Sequence, residues 1–214
     1  ITRISNGPPM PNQALTTILD MLRTNTLDLA ADPAAARPQF EAMFADVPIP
    51  HGISVEPGHL GDIPGLWLQP GAAPRDQVIL YLHGGAYVIG SAKGYAPVAA
   101  GLAAAAGFDL FIPDYRLAPE HPYPAATNDV LHCYETLLHQ KGVHVTVAGD
   151  SAGGGLVMSL LLNARKRGLP QPSCAVLWSP WLDLACEQES YARNAAADPT
   201  LDAEALLGCA RHYI

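Results

Sequence analysis

Ser151 stands between small residues in the stretch TVAGDSAGGGL, where one apolar run ends and another begins. With Gly149 and Gly153 it forms the pattern G-x-S-x-G, in which glycines beside a serine let the chain turn sharply. A serine hydroxyl on such a strand-to-helix turn is exposed at the carboxyl end of the sheet, and the start of the next helix favours negative charge. These features indicate a nucleophilic serine. The same residues also fit a glycine-rich turn whose serine only caps the helix.

A second stretch, YLHGGAYVIG, could supply the hydrogen-bond donors that a serine nucleophile needs. Because Gly84 and Gly85 carry no side chains, their backbone N–H groups can point at the negative oxygen of a reaction intermediate. The amide of Ala152, directly after the serine, would complete this oxyanion site. We interpret His83 as a residue that holds the glycine loop in shape rather than as the general base. The alternative for this stretch is an ordinary strand-to-helix turn.

The elements around these residues are predicted from hydrophobic periodicity and from Gly and Pro punctuation. Predicted strands cover residues 52–57, 65–71, 78–82, 108–115, 143–150 and 173–181. Predicted helices cover residues 12–30, 33–45, 94–107, 125–142, 151–168 and 202–214, with Asp32 and Pro33 as the cap and first residue of the second helix. From residue 78 onward, strands and helices alternate. This order predicts an α/β fold with a mostly parallel sheet and helices on both faces.

Composition excludes several classes of function. The 214 residues carry a formal net charge of -8, which argues against a nucleic-acid partner because phosphate binding needs clustered Lys and Arg. The one basic cluster, residues 165–167, falls near a helix end, where cations are favoured for structural reasons. No apolar segment is long enough to span a membrane, and residues 1–13 lack the apolar region of a signal peptide.

The four cysteines and eight histidines show no metal-ligand spacing. We therefore expect free thiols in a reducing cytoplasm, with neither a metal nor an organic cofactor.

Four motifs together resemble the hormone-sensitive-lipase-like carboxylesterases, an α/β-hydrolase family. They are HGGAYVIGS, DYRLAPEHPYPAA, GDSAGGGL and SPWLDL, and they occur over residues 78–184 in the family's order and spacing. The resemblance implies an α/β-hydrolase fold with a helical cap, and hydrolysis of carboxylic esters by a Ser-His-Asp triad. Ser151 matches the family's nucleophile, and Gly84, Gly85 and Ala152 match its oxyanion donors.

The resemblance also divides the chain and adds supporting residues. Residues 1–48 would form N-terminal cap helices, residues 49–184 an incomplete hydrolase core, and residues 185–214 a second cap segment. His83 and Asp150 are predicted to support the site. Glu120 lies in a stretch that matches one behind the active site, where it would either brace the nucleophile region or anchor a surface loop.

The acid and the histidine of the triad are missing from the expected places. In this fold they follow the nucleophile in the order Ser, Asp or Glu, His, and the resemblance places them after the last two strands. Asp183 follows the wrong strand, Asp198 and Asp202 fit turn and helix-cap positions, and His212 falls in a cap helix. We expect the last strands, the acid and the histidine to lie beyond residue 214, because the missing strands would leave an apolar sheet edge bare. The alternative is a naturally shortened relative.

The sequence thus predicts a serine carboxylesterase that acts on small to medium acyl esters through an acyl-enzyme on Ser151. The alternative is a non-catalytic protein that binds a small molecule on the same fold. Tyr87, Val88 and Ile89 would lie either near the acyl site or in the core. The oligomeric state stays open, with a homodimer among the options.

Overall fold

A six-stranded sheet with helices on both faces organises the structure, a computed structural model that describes residues 13–24, 27, 32–74, 76–140 and 142–214. Of residues 1–13, which we interpret as lacking a signal peptide, residues 1–12 lie outside the described residues. The helices are α1 (Gln13–Thr24), α2 (Pro33–Phe44), α3 (Ala92–Ala106), α4 (Ala125–Leu138), α5 (Ala152–Arg167), α6 (Glu189–Asn194) and α7 (Ala203–Tyr213). The strands are β1 (Ile53–Leu60), β2 (Ile63–Pro70), β3 (Gln77–Leu82), β4 (Asp109–Pro113), β5 (His144–Asp150) and β6 (Cys174–Trp178).

The strands lie in the order β1-β2-β4-β3-β5-β6. Strand β2 pairs antiparallel with both β1 and β4, whereas the β4-β3, β3-β5 and β5-β6 pairs are parallel. Five of the six strands therefore point the same way, and only β2 opposes them. This arrangement confirms the predicted α/β class and its mostly parallel sheet. The carboxyl ends of β3 and β5 lie side by side, which brings the two chemical motifs to one edge.

Strand β3 shows why the sheet is buried on both faces. Val78, Leu80 and Leu82 belong to the hydrophobic cluster under α4 and α5, and Ile79 and Tyr81 belong to the cluster under α3. Side chains along a strand alternate between faces, so a continuous apolar run is expected where helices cover both sides.

Two predicted helices are shorter in the structure. Helix α1 ends at Thr24 rather than at residue 30, and Leu27 is not helical; residues 25, 26 and 28–31 lie outside the described residues. Helix α4 ends at Leu138 rather than near Gly142, because the N–H of Gln140 turns back to the carbonyl of Leu137 at 3.0 Å. Gly142, at φ +81°, serves the turn into β5.

The predicted start of α2 is confirmed. The Asp32 side chain accepts the N–H of Ala34 at 2.9 Å, and Pro33 occupies the first helical turn. Proline suits this position because its missing N–H would have no helical acceptor.

Strand β6 forms one edge of the sheet, paired with β5. Trp178 on this strand is 43% exposed. Helices α1 and α2 precede the sheet, and α6 and α7 follow it. The proposed boundaries at residues 48/49 and 184/185 stay predictions. No helix within the described ranges has both the length and the apolarity to cross a membrane.

Candidate active site

Ser151 sits alone in the turn between β5 and α5, in a backbone conformation that side chains rarely adopt. Its φ is +51° and its ψ is −120°. Such strain persists only where neighbouring structure holds it in place. Here the N–H of Ser151 donates to the carbonyl of Trp178 at 3.0 Å, and the carbonyl of Ser151 accepts the N–H of Trp181 at 2.8 Å. The serine is half-buried, so its side chain remains accessible from one side.

The glycines on either side of Ser151 permit a close approach between α5 and β3. A Cβ on Gly149 would lie 2.8 Å from the carbonyl oxygen of Leu82. A Cβ on Gly153 would lie 2.6 Å from the carbonyl oxygen of His83 and would overlap that of Leu82. Both obstacles are backbone atoms, which cannot rotate away. The motif's glycines are therefore explained by packing as well as by the turn.

The loop after β3 is also strained. Its φ angles are +114° at Gly85, +51° at Ala86 and +65° at Tyr87. The carbonyl of Gly85 accepts the N–H groups of Val88 and Ile89, both at 3.0 Å. Within the described residues, no acceptor takes the N–H of Gly85 or of Ala86. These two amides are therefore the candidate oxyanion donors of the loop.

At Gly84 the structure differs from the sequence prediction. Its N–H donates to Oδ1 of Asp150 at 3.1 Å, so this amide is occupied rather than directed at a substrate. The free amides of the loop begin one residue later. The sequence motif does not distinguish Gly84 from Gly85, so it could not show which of the two amides is already bound.

Asp150 is held by two tyrosines that the sequence analysis did not single out. The Tyr81 hydroxyl donates to Oδ1 at 2.8 Å, and the Tyr95 hydroxyl donates to Oδ2 at 3.1 Å. Burial raises the pKa of Asp150, while the hydrogen bonds from both tyrosines and from Gly84 oppose that rise. Tyr81 lies on β3 and Tyr95 on α3, so no local spacing in the sequence links them.

His83 is fully buried between two aromatic rings. Its ring stacks on Tyr115 at a centroid distance of 4.2 Å and on Tyr95 at 5.3 Å. Its Nδ1 lies 2.7 Å from the carbonyl oxygen of Gly84. Burial lowers the pKa of His83 to about 4, so the ring is neutral near pH 7 and Nδ1 donates to Gly84. His83 thus contacts the glycine loop, and its supporting role stays a prediction.

Glu120 forms a bidentate ion pair with Arg37 of α2, at 2.9 and 2.7 Å. Arg37 also donates to the carbonyls of Val88 at 2.9 Å and Ala118 at 3.0 Å. The hydrogen bonds from Arg37 lower the pKa of Glu120 to about 2. Of the two interpretations of Glu120, these contacts fit the loop anchor, since it ties α2 to the end of the glycine loop. Arg37 was not singled out because it lies far away in sequence.

Ser151 lines a cavity of about 230 Å³ between the turn and the helices α6 and α7. Trp181, Tyr191 and Leu206 give it apolar walls, and Ser179, at φ +42°, adds a second strained serine that no sequence pattern indicated. No histidine of the described residues is among the residues that line it.

The carboxylates near the cavity are engaged in local turns. Asp198 and Asp202 line it, and each accepts backbone amides just after itself, from Thr200 at 2.9 Å and Ala205 at 2.7 Å. Asp183 likewise accepts the N–H of Glu187 at 2.9 Å. The contacts of Asp198 and Asp202 match the turn and cap positions expected from the sequence.

Tyr87, Val88 and Ile89 are buried in the core. The Tyr87 ring stacks on Tyr213 of α7 at a centroid distance of 3.9 Å. The loop and the last helix therefore support each other. Within the described part of the chain, no three His, Cys, Asp or Glu side chains come close enough to hold a metal ion.

The chain is similar to known α/β hydrolases in sequence and in structure. A family model described as alpha/beta hydrolase fold matches residues 79–214. The crystal structure of an esterase from the bacterial hormone-sensitive lipase family superposes with a TM-score of 0.90 at 35% identity, over 95% of this chain and 69% of that one. The chain belongs to the hormone-sensitive-lipase family of α/β hydrolases. The resemblance predicted from the four motifs is confirmed.

Two curated relatives of this α/β hydrolase are similar in sequence. An acetyl-hydrolase of Streptomyces hygroscopicus is 39% identical over 173 residues, covering 80% of this chain and 56% of the relative. An esterase of Acinetobacter venetianus is 33% identical over 184 residues, covering 85% of this chain and 60% of the relative. The chain thus spans little more than half the length of these relatives.

Proposed function

We propose that the full-length protein containing this chain is a serine carboxylesterase that hydrolyses small to medium acyl esters through an acyl-enzyme on Ser151. The observation that carries the proposal is the strained turn at Ser151, which lines a cavity. The Asp150–Gly84 hydrogen bond joins this turn to a loop in which the amides of Gly85 and Ala86 have no acceptor among the described residues. The names of the relatives, acetyl-hydrolase and esterase, agree with this chemistry.

In the proposed reaction, a histidine takes the proton of Ser151 Oγ as that oxygen attacks the ester carbonyl. The amides of Gly85, Ala86 and Ala152 hold the oxyanion that forms, and Gly84 is replaced in this role because its N–H donates to Asp150. Each such donor contributes about 3 kcal/mol of transition-state stabilisation. The alcohol then leaves with the proton from the histidine, and water releases the acid from Ser151.

The triad acid and histidine are proposed to lie outside residues 1–214. Two observations support this. No described histidine lines the Ser151 cavity, and the two aspartates that line it already serve turns. The homodimer and the cytoplasmic location stay predictions.

The alternative is a non-catalytic binding protein, and it is favoured by the same observation, namely that no described histidine lines the Ser151 cavity. A protein that only binds a small molecule would use the cavity without activating Ser151. The two functions differ in whether Ser151 is needed for turnover.

The test is hydrolysis of p-nitrophenyl acetate by the full-length protein and by its Ser151→Ala variant. We expect the variant to lose at least about 10³-fold in kcat, because the nucleophile is removed. Ser54→Ala is the matched control, since Ser54 lies on β1 at the far edge of the sheet and should leave kcat unchanged. Equal turnover by Ser151→Ala and the unmodified protein would overturn the proposal.

A further inference from the structure

The carboxylate of Asp150 is half-buried and has an unusual set of partners for an acidic side chain. It directly precedes Ser151, and three uncharged donors surround it: the hydroxyls of Tyr81 and Tyr95 and the N–H of Gly84. Within the described residues, no cationic side chain pairs with it. Withdrawing a charge from water without a counter-ion is unfavourable, so the protein stabilises this carboxylate through hydrogen bonds alone.

The contact between Asp150 and Gly84 joins the two strained segments of the site. Ser151 is one peptide bond from Asp150, and Gly85 is one peptide bond from Gly84. A single hydrogen bond of 3.1 Å therefore links the nucleophile turn to the start of the oxyanion loop. A side chain at position 84 would displace this carboxylate, because its Cβ would overlap Oδ2 of Asp150 and lie 2.7 Å from the Tyr95 hydroxyl.

The same region also fixes the direction of the next amide. The carbonyl of Gly84 lies 2.7 Å from Nδ1 of His83. In a trans peptide, the carbonyl of one residue and the N–H of the next point in opposite directions. When His83 holds the carbonyl of Gly84, the N–H of Gly85 is turned away from His83. With the N–H of Gly84 bound by Asp150, the peptides on both sides of Gly84 are oriented.

We propose that Asp150 is a positioning residue: its carboxylate ties the oxyanion loop to the nucleophile turn and so preorganises the amides of Gly85 and Ala86 relative to Ser151. This inference rests on the proposed esterase function. Asp150 touches neither substrate nor reacting atoms and acts through Gly84. Tyr81 and Tyr95 hold the carboxylate in the orientation that reaches Gly84.

Two substitutions separate geometry from charge. Asp150→Asn keeps an oxygen that can accept from Tyr81 and Gly84, and its amide nitrogen can donate to the hydroxyl of Tyr95. Asp150→Ala removes all the acceptors and leaves the N–H of Gly84 unpaired. A positioning role therefore predicts rescue by asparagine but not by alanine.

The experiment measures kcat and KM for p-nitrophenyl acetate with the full-length protein, together with inhibition by a trifluoromethyl ketone that mimics the tetrahedral intermediate. For Asp150→Ala we expect kcat to fall about 10²-fold, comparable to the loss of one oxyanion donor, with KM changed less than about 3-fold. Inhibitor affinity should fall in parallel with kcat. Asp150→Asn should retain kcat within about 5-fold. Asp62→Ala, a substitution of an exposed carboxylate, is the control.

Two results would overturn the inference: a kcat of Asp150→Ala near that of the unmodified protein, or equal losses of kcat in the alanine and asparagine variants.

If circular dichroism shows that Asp150→Ala does not fold, the double variant Tyr81→Phe with Tyr95→Phe replaces it. That double variant keeps Asp150 but frees its carboxylate, so kcat should fall about 5- to 10-fold with KM unchanged; an unchanged kcat would also refute the inference. Ser151→Ala in parallel distinguishes the cases, because its retained turnover would instead refute the proposed function.

Discussion

The substitution Gly153→Ala tests the close approach of α5 to β3, on which the turn at Ser151 depends. Gly153 is the third residue after the end of β5 and lies in the first turn of α5. An added methyl group would meet only backbone atoms, namely the carbonyl oxygens of Leu82 and His83. Since these atoms belong to the last residue of β3 and to the residue after it, the helix and the strand must separate to admit the methyl group.

The magnitude follows from these distances. Real Cβ atoms are essentially never closer than 3.0 Å to such neighbours, and at Gly153 the separation from the His83 oxygen would be 2.6 Å. Overpacking of this kind costs about 1–3 kcal/mol, and more where the backbone must move. Alanine regains about 1 kcal/mol through its better helix propensity. Taking the upper end of the overpacking cost, we expect a net loss of about 2 kcal/mol in the free energy of unfolding. The proposed esterase activity should also fall, because Ser151 moves with the helix.

Gly101→Ala is the matched control. Gly101 also lies within a helix, α3, and a Cβ there would have nothing within 4 Å. This variant should gain about 0.5–1 kcal/mol from helix propensity alone. The assay is equilibrium denaturation in urea of the full-length protein, followed by circular dichroism. If Gly153→Ala stabilises the protein as Gly101→Ala does, the backbone contact between α5 and β3 does not exist as described.

Three further predictions concern buried groups and the Arg37 anchor. Burial lowers the pKa of His83 to about 4 in the folded protein, whereas in the unfolded chain the imidazole binds a proton below about pH 6.5. The contribution of His83 to the free energy of unfolding is therefore complete above pH 6.5 and declines towards pH 4, by about 3 kcal/mol in total. Denaturation at pH 7 and pH 4 checks this; a His83→Gln variant that loses as much stability over this interval as the unmodified protein would contradict it. Arg37→Ala should lower the free energy of unfolding by about 2 kcal/mol, because the carbonyls of Val88 and Ala118 lose their donor. Arg23→Ala on the exposed helix α1 is the control and should cost less than about 0.5 kcal/mol. Equal effects of the two substitutions in urea denaturation would refute the role of Arg37 as an anchor. Burial raises the pKa of Cys133 to about 12 and that of Cys209 to about 11. Both thiols should therefore react with a disulfide reagent only after denaturation. Rapid labelling of either cysteine in the native protein would contradict this packing.

The parts of the fold that sequence predicts well are those with strong local signals. The apolar run of β3 and the glycine at the end of α3 give clear boundaries, and Gly107 adopts φ +68° as a helix C-cap should. The end of α4 was less predictable. Gly142 is a good helix terminator, but the chain leaves the helix at His139 and uses the glycine for the following turn.

The site shows a sharper limit. Ser151 and the glycine loop can be recognised from their motifs, because a strained turn restricts which residue types fit. The hydrogen-bond partners of Asp150 do not, since Tyr81 and Tyr95 come from a strand and a helix that meet only after folding. Likewise, the occupied amide of Gly84 depends on a side chain 66 positions away. Local patterns therefore predict the candidate reactive groups, while the contacts that would orient them arise from tertiary packing.

The central claim is that the hydroxyl of Ser151 is an activated nucleophile. Its most direct test is reaction of the full-length folded protein with a fluorophosphonate, followed by intact mass measurement and peptide mapping. The account predicts one covalent adduct, located on Ser151 and absent from the Ser151→Ala variant. A folded protein that forms no adduct on Ser151 would contradict it.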